Sequence, residues 1–415
     1  MPSASAIVRN PAVLVLGASV LSGAAGYVVT TIVAARLGPA GYAGFAVFWS
    51  SLYLVVGAFG GVQQEATRAS TSAELTGGMG GARLGAFGAI AAAALFAILL
   101  GTAPAWSGPV FTESGFALAA PLAVGAASYV LVATVCGGLY GIRRWGWLAV
   151  LIAGDGILRL IGVGAVLLFG GSVVPLAWAV ALPFPVTLAL VVPFLARDLR
   201  RALRSDVGFG RLARNVLRTV VAAAAMATLI SGFPLLVSVT SPEAPAAVLG
   251  TLILAFTLAR APIVVPLMAL QSYLIVKFAE PEWPRVRRLL QLGATVLIAG
   301  IVLGAAAAAF GVPLLELLFG TQAQVASAGL FWIVGSAGLV AALCITGPAL
   351  LAESRLGLYA VGWAVSALGA VTVLVLPFDL TARLALALIV GPVLGLAVHG
   401  LGLAVAWRTD DRRRR

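Results

Sequence analysis

The sequence predicts an all-α polytopic membrane protein with twelve transmembrane helices in two six-helix lobes and both termini cytoplasmic. Three observations predict it: the composition, the number of long apolar runs and the sorting of the arginines. Of 415 residues, 61% are hydrophobic and only 10% charged, against about 25% charged in soluble domains. The mean hydropathy is +1.10. These values exclude a soluble enzyme, a nucleic-acid-binding domain and a disordered tail. The net charge of +12 is therefore read through membrane topology, because Lys and Arg collect on the cytoplasmic side.

A spanning helix needs about 20 mostly apolar residues. Twelve runs meet that length. The first six lie near 11–35, 42–64, 84–105, 115–140, 146–169 and 173–196. The second six lie near 216–240, 246–276, 289–310, 325–352, 355–377 and 384–407. The apolar stretch after Arg9 is longer than the roughly 7–15 residues of a signal-peptide core, which predicts a retained first helix. With the N-terminus inside, 22 of the 26 basic residues fall in cytoplasmic segments, seven of them in the loop 197–218. Arg36 and Arg383 fall in outer loops, and Arg159 and Arg260 fall inside spans. One helix more or fewer would scramble that sorting. Trp145, Trp147, Trp283 and Trp407 stand at run ends, where interfacial anchors belong. The basic loop divides the chain into six spans and six, 1–204 and 205–415, an arrangement common in transporters.

Motifs for other chemistries are missing from the sequence. Cys136 and Cys344 lie in apolar runs, as does the single His399, so a disulfide framework, zinc site or haem site is not expected. The stretch Gly208 to Ala213 matches a loose dinucleotide pattern but follows no strand. No Walker A loop precedes Lys277. No cofactor, no metal and no nucleic-acid partner is expected, and the chain is not expected to be an enzyme.

Ionisable residues within the membrane are the first functional candidates, because a charge in lipid is costly. Arg260 lies near the middle of the eighth span, before Pro262 and Pro266, which should kink or loosen the helix. A central guanidinium there suits an anion, since Arg stays charged and grips phosphate oxygens in a fork. Asp155 and Arg159 stand four apart on the fifth span and can pair. Either a structural pair or a gating or proton-coupling acid fits that spacing. Gln63, Gln64 and Glu65 end the second span, and Gln271 lies late in the eighth; they suit a cytoplasmic vestibule or ordinary interfacial solvation. Tyr27, Thr30 and Thr31 offer hydroxyls either to a sugar or to neighbouring helices. His399 reads as a buried hydrogen-bonding residue. The spacings Gly57/Gly61, Gly137/Gly141, Gly300/Gly304 and Gly391/Gly395 permit close helix contact.

Ala34-Ala35-Arg36-Leu37-Gly38-Pro39 followed by Gly41-Tyr42-Ala43-Gly44-Phe45-Ala46 resembles the RxLGPxxYGxxA pattern after the first helix of bacterial polysaccharide flippases. Gly60 to Arg68 and Thr257 to Pro262 resemble two further segments of that family. The superfamily so implied is that of the multidrug/oligosaccharidyl-lipid/polysaccharide exporters, with a MATE-like fold of two lobes around a cavity that opens alternately to either side. The resemblance implies a multi-pass protein of the bacterial cytoplasmic membrane that flips a polyprenyl-diphosphate-linked glycan to the outer leaflet for cell-surface polysaccharide synthesis. Its partners would be that glycan, membrane lipids and the glycosyltransferases or polymerase of the same pathway. Lipid II flippases of the superfamily also carry basic residues in the first helices, whereas helices 1 and 2 here hold no mid-membrane charge. A drug/cation antiporter of the same fold is the alternative; it needs intramembrane acids, and only Asp155 is available. A membrane glycosyltransferase would need larger outer loops than these.

Overall fold

The computed structural model describes residues 11–75, 81–112, 115–280, 284–319 and 327–414. At 11–12, 259–263, 265–266, 268–269, 272, 318–319 and 408–414 only the backbone is described. Arg9, Asn10 and Trp283 lie outside the described residues. The described elements are all helical apart from one isolated backbone bridge between Arg83 and Arg204. Helix α1, Pro11–Leu75, is broken at Gly38 into arms 11–37 and 39–75. There follow α2 (Leu84–Phe111), α3 (Gly115–Gly141), α4 (Trp145–Leu168), α5 (Val173–Ala181), α6 (Pro183–Val191), a 3-10 turn (Val192–Leu195), α7 (Ala196–Ala202) and α8 (Phe209–Ile230). The remainder is α9 (Phe233–Thr240), α10 (Ala246–Ala279), α11 (Arg285–Phe319), α12 (Ser327–Gly335), α13 (Ala337–Ala352), α14 (Leu356–Leu374) and α15 (Leu380–Arg414). Over the described residues, every predicted apolar run falls mainly on helix. Ten described helical segments are long and apolar enough to cross a membrane, counting α1 once with both arms, Val173–Ala202 (α5 to α7) as one and Ser327–Ala352 (α12 and α13) as one; Ala246–Leu258 is a shorter apolar stretch.

The departures from the predicted runs have local causes. The sixth run is split at Leu182 and again at Val192, because Pro183, Pro185 and Pro193 remove backbone donors. The basic segment 197–218 is not a loop throughout: α7 and the start of α8 are helical, and the non-helical stretch is 203–208. The helix α10 continues through Pro262 and Pro266, so the prolines do not end it.

Gly38 takes φ 68° and ψ 179°, a conformation that side-chain-bearing residues disfavour. Pro39 then starts the second arm, with its φ already helical and its missing donor harmless. The chain reverses there. Gly26 and Trp49, on opposite sides of the break, face one another, and a Cβ on Gly26 would lie 3.6 Å from the indole.

The chain packs as two compact units. One is Gly44–Ala227 with the chain up to Arg36; the other is Leu37–Ala43 with the chain from Thr228 onwards. In the first unit, Val62, Ala66, Leu84, Phe87, Leu212 and Val216 form a buried cluster across the second arm of α1, α2 and α8. Val15, Cys136, Leu139, Leu148, Leu151 and Leu195 form another. In the second unit, Leu274, Phe278, Ile345, Leu350 and Leu403 bring α10, α13 and α15 together. There too the 37–43 segment is fixed. Tyr42 is 1% exposed and its hydroxyl bonds to Thr257, while Gly250 lets the Pro39 carbonyl approach where a Cβ would collide.

The paired glycines are contact points between helices. A Cβ on Gly61 would lie 2.5 Å from the Thr219 carbonyl carbon, and one on Gly57 2.6 Å from the Ala227 Cβ. One on Gly137 would lie 2.6 Å from the Gln63 carbonyl oxygen, and one on Gly141 2.6 Å from Ser70. In the second unit, Gly300 and Gly304 meet the Gly335 and Phe331 carbonyls, and Gly391 and Gly395 meet those of Ser366 and Gly362.

Candidate functional site

Asp155 and Arg159 are one helical turn apart on α4, and α-helical geometry places them on one face. An Arg159 guanidinium N–H donates to Asp155 Oδ2 at 2.5 Å. The Arg159 side chain is 3% exposed and that of Asp155 17%. Three rings surround the guanidinium: its carbon lies 5.9 Å from the Trp49 centroid, 5.5 Å from Tyr53 and 5.3 Å from Phe184. Trp49 and Tyr53, one turn apart on the second arm of α1, stack at 4.6 Å. Ring faces attract a desolvated cation, so the cage and Asp155 together offset the loss of water around Arg159. The Arg159 Nε and Asp155 Oδ1 atoms are buried and without a hydrogen-bond partner.

Glu65 is buried at 4% exposure and belongs to a different group. Arg68 donates to it through Nε at 2.9 Å and Nη2 at 2.7 Å, and Asn215 Nδ2 donates at 2.9 Å. Arg68 also donates to Asp206, at 3.0 and 3.2 Å. The clasp ties the second arm of α1 to α8 and to the 203–208 segment. Glu65 is thereby committed to structure, with its oxygens occupied. Gln63 is half-buried and Gln64 exposed beside it; the Gln63 carbonyl accepts from the Thr67 hydroxyl.

At Asp206, burial acts to raise the carboxyl, but hydrogen bonds from Arg68 and Ser72 and the Arg68 charge outweigh it and hold the group below its usual value. A lowered folded value means that this contribution to stability is present above the ordinary aspartate range, about pH 4, and is lost as pH falls through the lowered value. Arg68 is 44% exposed, so solvent screens the pair. Asp206→Asn is expected to cost only about 0.2–1 kcal/mol at neutral pH, and the cost should shrink as pH is lowered through the aspartate range, measured by thermal unfolding at neutral and acidic pH.

Tyr27 is exposed, and its carbonyl accepts the hydroxyls of Thr30 and Thr31, both at 2.9 Å. Those threonine donors are thus used within their own helix. Gln271 on α10 hydrogen-bonds the Tyr359 side chain. Tyr359 leads to His399, which is fully buried. The His399 Nε2 donates to the Tyr359 carbonyl at 3.2 Å, so Nδ1 is free to accept the Thr346 hydroxyl at 2.8 Å. The Arg260 side chain lies outside the described residues; its backbone is in α10. Of the predicted site residues, the structure therefore brings together Asp155 and Arg159, sets Glu65 in a separate clasp and places Gln271 in the His399 network.

Trp49, Tyr53 and Phe184 were not singled out in the sequence. The i, i+4 spacing of Trp49 and Tyr53 was the available signal, but a buried aromatic pair on an apolar helix is ordinary packing. Nothing in the spacing of Asn215 pointed to Glu65.

This arrangement of helices is the fold seen in solved MATE-type transporters. The chain superposes on the inward-facing conformation of a multidrug resistance MATE family transporter with a TM-score of 0.73 at 15% identity, covering 96% of this chain and 99% of the other. It also superposes on a MOP superfamily transporter from Pyrococcus furiosus, TM-score 0.60, 14% identity, 98% and 97% covered. In sequence it is 33% identical over 413 residues to uncharacterized protein Rv3630 of Mycobacterium tuberculosis, spanning 99% of this chain and 95% of the relative. The identity is also 33% over 404 residues to uncharacterized protein Rv1510 of the same organism, 96% and 92% covered. The chain belongs to the family of these mycobacterial proteins. No family model matches it.

Proposed function

We propose that this protein is a transporter that flips a polyprenyl-diphosphate-linked oligosaccharide from the inner to the outer leaflet of the bacterial cytoplasmic membrane by alternating access. The halves 1–204 and 205–415 are its two six-helix repeats, and both termini are cytoplasmic. Its neighbours in the pathway are the glycosyltransferases or polymerase that build the cell-surface polysaccharide.

The observation that carries this reading is the condition of Asp155. A cation antiporter of this fold needs an intramembrane acid free to exchange protons or sodium for its substrate. Here Arg159 closes that acid at 2.5 Å from the same helix. The three deep charges read from the sequence, Asp155, Arg159 and Arg260, then sum to +1. A positive interior favours an anionic headgroup over a cationic drug. The P. furiosus transporter of this fold is itself described as having a binding pocket of reverse polarity that suggests a different function. The mid-span arginine of α10, Arg260, is proposed to hold the diphosphate. Its charge would offset the desolvation of the phosphates, and flipping follows if the inward and outward states bind the headgroup differently.

Arg260→Ala tests the assignment. In proteoliposomes with a lipid-diphosphate sugar, a charged hydrogen bond contributes about 1.5–3 kcal/mol, so flipping is expected to fall by roughly 10- to 100-fold at matched folding. Equal flipping by the variant removes Arg260 from the site.

A further inference from the structure

Six of the arginines at the basic end of the first unit differ in their partners. Arg68, Arg144 and Arg201 each reach an acid: Glu65 and Asp206, Asp198, and Glu74 respectively. Arg83, Arg200 and Arg204 make no ion pair among the described residues, and all three are exposed. These three line one groove of about 740 Å³. Its remaining lining is apolar and includes Val192, Pro193 and Leu199.

The groove walls are fixed by backbone. The Leu84 N–H donates to the Leu203 carbonyl at 2.9 Å, the Ala82 N–H to Val207 at 2.8 Å and the Ser205 N–H to Ala82 at 3.0 Å. The start of α2 is thus strapped to the 203–207 segment, and Arg83 and Arg204 are held side by side as a bridged pair. α7 completes the wall because Arg144 grips its Asp198 at 2.6 Å. A neighbouring recess of about 440 Å³ shares Arg200 and Arg204 but includes Glu74, whose carboxylate opposes an anion. No acid lines the larger groove.

We propose that this groove is a binding site for an anionic membrane phospholipid. Its phosphate sits among Arg83, Arg200 and Arg204, and the first part of an acyl chain lies along Val192, Pro193 and Leu199. The chemistry follows from the lining. Three uncompensated guanidinium groups match phosphate oxygens in geometry and charge. An apolar floor beside them excludes a fully hydrated ion but suits a chain that is already in hydrocarbon. Basic recesses between spans on the cytoplasmic side are where acidic lipid headgroups bind. The proposal does not rest on the identity of the transported substrate.

The test uses the purified full-length protein in neutral detergent, with unfolding temperature and lipid retention by native mass spectrometry as readouts. Added dioleoylphosphatidylglycerol is compared with dioleoylphosphatidylcholine and with inorganic phosphate. The wild type and a charge-matched control, R287Q/R288Q/R355Q, are expected to be stabilised by, and to retain, the acidic lipid alone. R83Q/R200Q/R204Q is expected to need about 100-fold more of it, at roughly fivefold per arginine removed. Ala196→Trp, which fills the groove and leaves the arginines in place, is expected to weaken retention too; it is the deciding variant if the triple substitution does not fold. Equal retention by Ala196→Trp, or by a folded triple variant, overturns the proposal. So does stabilisation of the wild type by inorganic phosphate to the same extent, which would mark an ion site without a lipid seat.

Discussion

Asp155→Ala is expected to destabilise the protein by about 3–5 kcal/mol, the cost of stranding one partner of a buried ion pair. Arg159 is 3% exposed and cannot follow its charge into water. Its Nε already lacks a hydrogen-bond partner, and losing Asp155 would leave only three rings facing the cation. Ring faces supply about 2 kcal/mol to a desolvated cation, less than the penalty of its burial. Removing both partners has a different outcome. Asp155→Leu with Arg159→Met keeps the volume and removes both desolvation costs, and such replacements are often neutral or stabilising. The double variant is therefore expected to recover most of the loss, and a double-mutant cycle by denaturant unfolding in micelles checks it. A structural pair gives that recovery together with transport. An acid that couples transport to protons gives recovered stability without transport.

Gly61→Ala is the second large effect. The added methyl would lie 2.5 Å from both the Thr219 carbonyl carbon and the Val220 nitrogen. Backbone on both sides cannot rotate away as a side chain can, so α8 must move. The Thr219 hydroxyl donates to the Gly61 carbonyl at 2.8 Å, and that bond would be lost with the movement. Overpacking costs about 1–3 kcal/mol where side chains can adjust; here the expected loss is at the upper end of that range or beyond. Gly60→Ala is the internal control. Nothing lies within 4 Å of its Cβ position, and alanine is the better helix former by about 1 kcal/mol. Gly60→Ala should be neutral or mildly stabilising by thermal unfolding, one residue away from a severe loss. Equal behaviour of the two variants would remove the close approach of α1 and α8.

These two cases also mark how far residue order alone reaches. The Asp155–Arg159 contact follows from spacing, because four residues bring two side chains onto one helical face. The glycine pairs follow likewise, since such spacing in an apolar helix has few uses besides close contact. Helix positions followed from run length, but the breaks of the sixth run at Leu182 and Val192, beside Pro183, Pro185 and Pro193, were not anticipated. The cage around Arg159 did not follow. Trp49 is 110 positions from Arg159 in the chain, and nothing in an apolar helix says which neighbour its rings will face. Glu65 read equally well as a vestibule residue or a solvated helix end, because one of its partners, Asn215, comes from a segment 150 residues away, and the Asp206 that shares Arg68 with it is 138 residues from that arginine. The motif around Gly38 was legible only as a resemblance. Its physical content is a chain reversal: a positive φ at Gly38, a helix start at Pro39 and a buried anchor at Tyr42.

The central claim, that the cargo is a lipid-linked anion and not a cation, is tested most directly by two assays on one preparation of proteoliposomes. One follows exposure of a polyprenyl-diphosphate-linked oligosaccharide to a membrane-impermeant glycan-modifying reagent. The other follows uptake of a cationic dye against an imposed proton or sodium gradient. The account predicts protein-dependent glycan exposure that falls with Arg260→Ala, and no gradient-driven dye movement. Dye exchange that depends on Asp155, without flipping of the lipid-linked glycan, would contradict it.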